Sequence, residues 1–170
     1  MNTLTKYDIL KLLEEIPDPE LPIVSIVDLA MVRDIDVNDQ SITVSITPTY
    51  SGCPATELIF QEVENVIRNA VGPEIKVTVN KVLFPPWTTR WLTASARTKL
   101  TASGVAAPCD NKVETKIPIS KRRTPHLNAV KCPRCETTNT TELSRFGTTS
   151  CKALYRCDNC LETFEYMKDL

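Results

Sequence analysis

Two Cys-x-x-Cys pairs, Cys132 with Cys135 and Cys157 with Cys160, stand 21 residues apart near one end of this 170-residue chain. Two residues between thiolates let both sulfurs turn inward on a tight knuckle, and two such knuckles close a tetrahedral four-sulfur site. A segment of about 40 residues buries too little apolar surface to fold unaided, so a metal clamp is expected for residues 130–170. Zinc is the first expectation on geometry and availability, although four thiolates also accept iron or an iron–sulfur cluster. A redox dithiol competes with this reading but lacks the strand-then-helix context of such motifs. Cys151 sits in the same segment, either as a fifth candidate ligand or as a small buried hydrophobe. If it ligates, five sulfurs for four positions favour exchange or a cluster over static zinc.

Seven cysteines, an odd number, cannot all pair within one chain. With no basic-then-apolar leader in MNTLTKYDIL and no bilayer-length apolar run, the expectation is a cytoplasmic, reducing environment and no membrane partner. Charge is split along the chain. Residues 1–85 carry six Lys/Arg against thirteen Asp/Glu, while residues 86–170 carry fourteen against eight. Opposite fields suggest two units, docking between them or onto a partner, or simply a solvated surface.

The N-terminal part reads as α-β-β-α-β-α, an α+β unit with a small three-stranded mixed sheet. Ile9, Leu12, Leu13 and Ile16 mark one helix face, with Thr5 as N-cap, Asp8 at N3 and Pro17 as the stop. MVRDIDV and SITVSIT flank Asn38-Asp39-Gln40 as a hairpin, and Ile42, Val44 and Ile46 alternate as a half-buried strand. Cys53-Pro54 opens a second helix with Cys53 as N-cap; Gly72-Pro73 closes it. Ile75, Val77 and Val79 form a third strand, parallel to a hairpin strand by a crossover. A third helix is expected from about Thr93 to Ala102, stopped by Gly104. The domains divide as 1–105, a basic proline-containing linker over 106–129, and the four-cysteine module over 130–170.

Cys53 lies in PTYSGCPAT, at a predicted helix start where the helix dipole lowers thiol pKa. It is either a reactive thiolate suited to transient iron or an inert packed cap. Asp18 and Glu20 in PDPELP either stand near that thiolate or are ordinary turn acids. Trp87 and Trp91, four apart, belong to the core or to an interface. His126 reads as solvated, Cys109 has no assignment, and Lys121-Arg122-Arg123 is a weak nucleic-acid hint. No Ser/His/Asp set and no glycine-rich phosphate loop exists in a chain with one histidine and four glycines, so the expectation is no enzyme activity alone.

Asp18-Pro19-Glu20-Leu21-Pro22, Asp28-Leu29, Thr47-Pro48-Thr49-Tyr50-Ser51-Gly52-Cys53-Pro54-Ala55-Thr56, Pro86-Trp87-Thr88-Thr89 with Trp91, Cys132-Pro133-Arg134-Cys135, and Phe146-Gly147 before Ser150-Cys151-Lys152-Ala153-Leu154-Tyr155-Arg156-Cys157 together resemble the PaaD (PaaJ) family of phenylacetate-degradation proteins. The resemblance spans nearly the whole chain except the linker. It implies an iron–sulfur assembly domain of the SufT type over residues 1–105 and a zinc ribbon beyond the linker. It further implies an accessory role beside phenylacetyl-CoA 1,2-epoxidase, helping its oxygenase or reductase subunits acquire iron or a cluster with the iron–sulfur assembly machinery. Cys53, Asp18 and Glu20 become expected sites of transient iron or cluster binding, with a homodimer bridging a cluster left open. A structural subunit of the epoxidase complex is the alternative. A nucleic-acid-binding ribbon is another, and the acidic first half counts against it. Relatives carry Gly after Asp-Leu where this chain has Ala30, and a side chain there argues against positive φ.

Overall fold

Thr5 starts the first helix as anticipated: its hydroxyl accepts from the Asp8 N–H, and the Asp8 carboxylate accepts from the Thr5 N–H at 2.8 Å. This reciprocal box satisfies two otherwise orphaned donors at the head of α1, Lys6–Glu14. The structure is a computed structural model that describes residues 4–108 and 130–168. Cys109, His126 and the Lys121–Arg123 run lie outside the described residues. Two compact units divide between Leu100 and Thr101.

In the first unit β1, Val32–Val37, pairs antiparallel with β2, Ser41–Ile46. After α2, Thr56–Val71, the strand β3, Lys76–Lys81, pairs in parallel with β2. The order β1-β2-β3 is the mixed sheet anticipated. Ile42, Val44 and Ile46 are 2% exposed or less, as are Ile9 and Leu13 of α1 and Ile59, Val63 and Ile67 of α2. Each such side chain contributes about 1.5–3 kcal/mol when removed from water. A 3₁₀ turn, Thr89–Trp91, then precedes α3, Ala94–Ala102.

Residues 25–31 hold the other connection in place. The Ser25 hydroxyl accepts from the Asp28 N–H at 3.0 Å and the Asp28 carboxylate accepts from the Ser25 N–H. Two bonds then end this single turn: Ala30 N–H to Val27 O at 2.9 Å and Met31 N–H to Ile26 O at 3.0 Å. That pairing is the Schellman pattern, which requires a left-handed residue at its end. Ala30 supplies it, with φ of 52°. The expectation that its side chain would prevent a positive φ is corrected: the two closing hydrogen bonds and burial of Leu29 and Met31 outweigh the strain at one Cβ.

Trp87 and Trp91 do not share a helix face, because only Trp91 lies within the 3₁₀ turn. Trp87 is buried and donates from Nε1 to the Leu29 carbonyl at 2.8 Å. The Arg33 guanidinium stands over the Trp91 ring, 3.8 Å from its centroid.

In the second unit a four-stranded sheet runs β4-β7-β6-β5, with β4 Val105–Ala106, β5 Thr140–Ser144, β6 Lys152–Cys157 and β7 Thr163–Met167. Its small core is aromatic. Tyr155 stacks on Phe164 at 6.0 Å and meets Tyr166 edge-on at 5.5 Å, while its hydroxyl donates to Glu142 at 3.1 Å. Lys152 is 4% exposed and pairs with Glu165 at 2.8 Å; Glu165 also accepts from the Thr148 N–H. Gly147 lies close to this pair: an added Cβ would sit 2.7 Å from the Glu165 carboxylate and would displace it.

Two outcomes follow for the first unit. Ala30→Gly relieves the left-handed strain and is expected to raise the urea midpoint, a gain of about 0.5–1 kcal/mol at unchanged slope; a lower midpoint refutes it. Asp28 is desolvated, but the Lys99 ammonium, the Ser25 N–H and the Ser95 hydroxyl more than offset this and hold its carboxyl below the ordinary value. Its contribution is therefore complete above the unfolded pKa of about 4 and is lost as pH falls through the lower folded value. Asp28→Asn should cost about 1–3 kcal/mol at pH 7 and much less at pH 2, read by denaturation at both.

Candidate metal centre and thiol site

The two knuckles of the second unit are built alike. In the first, Glu136 N–H donates to Cys132 O at 2.9 Å and Cys132 N–H to Thr137 O at 2.8 Å. In the second, Leu161 N–H donates to Cys157 O at 3.0 Å and Cys157 N–H to Glu162 O at 2.8 Å. Each loop closes through a left-handed residue just after its second cysteine, Glu136 at φ 61° and Leu161 at φ 63°. Gly or Asn at these places would have signalled the turn; Glu and Leu carry no such signal.

The knuckles bring Cys132, Cys135, Cys157 and Cys160 together, all four sulfurs within 4.8 Å of one another. Cys132 and Cys160 stand 3.8 Å apart and Cys135 and Cys157 3.5 Å. A tetrahedron with metal–sulfur bonds of about 2.3 Å has sulfurs about 3.8 Å apart, so the donor set fits a single ion. All four are free thiols. The Thr137 N–H, together with the neighbouring sulfurs, brings the Cys135 thiol down to about 6 despite desolvation. The Glu162 N–H favours the Cys160 thiolate, but desolvation and the same neighbours push that thiol up to about 12. Packed sulfurs cannot all ionise without a cation among them. Cys151 is buried outside this group, its Sγ 3.0 Å from the Thr149 hydroxyl.

In the first unit, the Cys53 N–H donates to Tyr50 O at 3.0 Å, and Cys53 O accepts from the Thr56 N–H and, at 2.9 Å, the Thr56 hydroxyl. These bonds make a separate turn, so α2 starts at Thr56 with Ala55 as its N-cap. Cys53 therefore precedes the N-cap by two residues, correcting its expected place. The expected lowering of its pKa is corrected too. Burial pushes the thiol up, against the Ala55 N–H, and the Glu20 and Asp18 carboxylates push it further.

The negative charge of both carboxylates therefore reaches the thiol. Asp18 is 7% exposed, and its Oδ1 accepts from the N–H groups of Glu20 and Leu21 at 2.9 and 2.8 Å. One acid thus shapes the turn that presents the other. Thiol and carboxylates of like charge repel when alone, and a bound cation reverses the sign of that interaction.

Comparison with known proteins agrees with both units. Residues 6–80 match the family described as Iron-sulfur cluster assembly protein, and residues 117–168 the PaaD zinc beta ribbon domain. The chain is 40% identical over 162 residues to an Escherichia coli (strain K12) protein provisionally named as one of the subunits of 1,2-phenylacetyl-CoA epoxidase, covering 95% of this chain and 92% of that one. It is 39% identical over 90 residues to the Fe-S protein maturation auxiliary factor YitW of Bacillus subtilis (strain 168), covering 52% and 85%. The crystal structure of Domain of Unknown Function DUF59 from Bacillus anthracis superposes with a TM-score of 0.52 at 32% identity, over 56% of this chain and 90% of that one. With both component domains matched and the full-length relative covered almost end to end, the chain belongs to the PaaD family, an iron–sulfur assembly domain followed by a zinc beta ribbon.

Proposed function

We propose that this protein is a non-catalytic maturation factor of a phenylacetyl-CoA epoxidase system, delivering iron or an iron–sulfur cluster to its oxygenase or reductase component. An accessory role in iron–sulfur assembly is supported by the relatives named as maturation factors and by the family matched over residues 6–80. The epoxidase client comes from the name of the full-length relative. What supports the reading is the electrostatic influence of Glu20 and Asp18 on the Cys53 thiol, all three within the segment that matches the iron–sulfur assembly family.

Cys53 accepts the cargo. Desolvation and two carboxylates hold the thiol protonated while it is alone, and an arriving cation displaces the proton and is held by sulfur with carboxylate help. Few ligands of mixed hardness make such a hold releasable, as transfer requires. The four cysteines of the ribbon serve differently. Cys132, Cys135, Cys157 and Cys160 would hold a resident zinc ion, whose charge would neutralise their sulfurs and whose bonds would clamp the two knuckles around a small aromatic core. In this proposal the first unit is the assembly domain and the second, whose sheet begins with β4, is the ribbon. No helix among the described residues is long and apolar enough to cross a membrane, and we place the protein in the cytoplasm.

Elemental analysis of the purified chain should find about one zinc per molecule. Cys157→Ser should lose that zinc and the folding of residues 130–168 while the first unit keeps its thermal transition; a metal-free ribbon that stays folded under chelators overturns the clamp. Cys53→Ser should remain folded and zinc-loaded but lower the iron content of the co-expressed epoxidase system several-fold. An unaltered iron load there refutes the delivery role.

A further inference from the structure

The loop that follows β3 is pinned at both ends. Where it begins, the Val82 N–H donates to Ile46 O at 2.8 Å; where it ends, Trp87 Nε1 donates to Leu29 O at 2.8 Å. Between these bonds Pro85 and Pro86 fix two φ angles. Yet the loop turns apolar residues outward. Phe84 is 85% exposed, more than any other large apolar side chain among the described residues, and Leu83 beside it is 53% exposed. In that position neither contributes to the core.

These side chains are gathered about the thiol turn. Leu83 lines an open cavity of about 200 Å³ together with Tyr50, Trp87 and the hydroxyl residues Thr49 and Ser51. Tyr50 is itself exposed, and its carbonyl accepts from the Cys53 N–H at 3.0 Å. On the other side of the turn, the Cys53 carbonyl accepts from the Thr56 hydroxyl, and Leu58 stands exposed in the same first turn of α2. Single apolar side chains are ordinary on a surface, whereas a group of them around one site marks a place where another surface sits.

Shape and charge limit what covers it. A small molecule in the cavity would leave Phe84 in water, so the occupant is a protein with a pocket for that ring. The charge here is mainly acidic: Asp18 and Glu20 act on the Cys53 thiol, and Glu57 precedes Leu58. Lys81 is the nearby cation, directed to the Ser51 carbonyl at 3.4 Å. Residues 1–85 as a whole carry thirteen Asp/Glu against six Lys/Arg. Two copies meeting through this face would bring like charges together, whereas Lys and Arg on a different protein would be attracted.

We propose that Phe84, Leu83, Tyr50 and Leu58 form the docking surface for the protein that receives the cargo of Cys53, and that this partner offers an apolar pocket rimmed by Lys and Arg. Phe84 is the anchor that enters the pocket, and a partner side chain fills the cavity beside Tyr50. Because the loop is held at both ends beforehand, little order is lost on docking. Docking then brings the thiol turn against the acceptor. This role rests on the delivery function proposed above and adds the surface that selects the recipient.

The test immobilises the full chain and passes over it, separately, the purified oxygenase and reductase components of the phenylacetyl-CoA epoxidase system at about 50 and about 300 mM salt. One component should bind, about tenfold more weakly at the higher salt. Phe84→Ser should weaken binding about tenfold or more, with its thermal midpoint close to the parent's because the ring is exposed. Leu143→Ser removes an exposed leucine of the second unit and should bind like the parent. Binding by neither component, or binding indifferent to salt or to Phe84→Ser, overturns the proposal. So does a dimer of this chain on gel filtration that Phe84→Ser dissolves, which assigns the surface to a second copy. Binding that needs Phe84, beside an epoxidase iron load that ignores Cys53→Ser, upholds the docking surface and sinks delivery. An iron load that needs Cys53, beside binding that ignores Phe84→Ser, does the reverse.

Discussion

Parallel pairing of β2 with β3 is the constraint on which the first unit turns. Two strands can run side by side in the same direction only if the chain crosses back between them, and α2 is that crossover. The register Ile42 to Val77 and Val44 to Val79 leaves both strands pointing to the same end of the sheet. The loops that follow them, 47–55 and 82–88, must then emerge together. Cys53 stands in the first loop, and the cavity is lined from both. Loops beyond the carboxyl ends of parallel strands are where such folds gather chemistry.

The second unit rests on a different balance. Its two sheet-end turns hold non-glycine residues at positive φ, and its sulfurs crowd to 3.5 and 3.8 Å. Neither feature is favourable by itself, and a core cluster of eight buried residues among those described is small compensation. A cation among the sulfurs turns both into consequences of one bond set. The two units thus use cysteine in opposed ways. Four sulfurs are closed on one another, while Cys53 is a lone thiol beside carboxylates. The first arrangement suits a retained metal ion, and the second would suit a transient one.

Much of this was readable along the chain, because periodicity and local turn chemistry act over a few residues. Thr5 and Asp8, the hairpin around Asn38 to Gln40, and the paired knuckles are all local patterns, and each has its anticipated form. Cys53 misled for the opposite reason. Proline after cysteine suits a helix start, but the Thr56 hydroxyl closes a turn on the Cys53 carbonyl first and delays α2. Strand β4 gave no signal, since two residues have no period and their partner lies about sixty positions away in β7. Ala30 is left-handed because bonds to Ile26 and Val27 close around it, not because of its own preference.

By itself the order of residues determined the element types, the mixed three-stranded sheet, the four cysteines that cluster and membership of a two-part family. Those properties depend on spacing and alternation, which are fixed within short windows. Only tertiary structure decided the upward shift of the Cys53 thiol, the buried state of Asp18, the exclusion of Cys151 from the sulfur group and, among the described residues, the unpaired hydroxyl of Thr47. Burial, charge proximity and hydrogen-bond satisfaction are sums over neighbours distant in sequence, so no short stretch of the chain contains them.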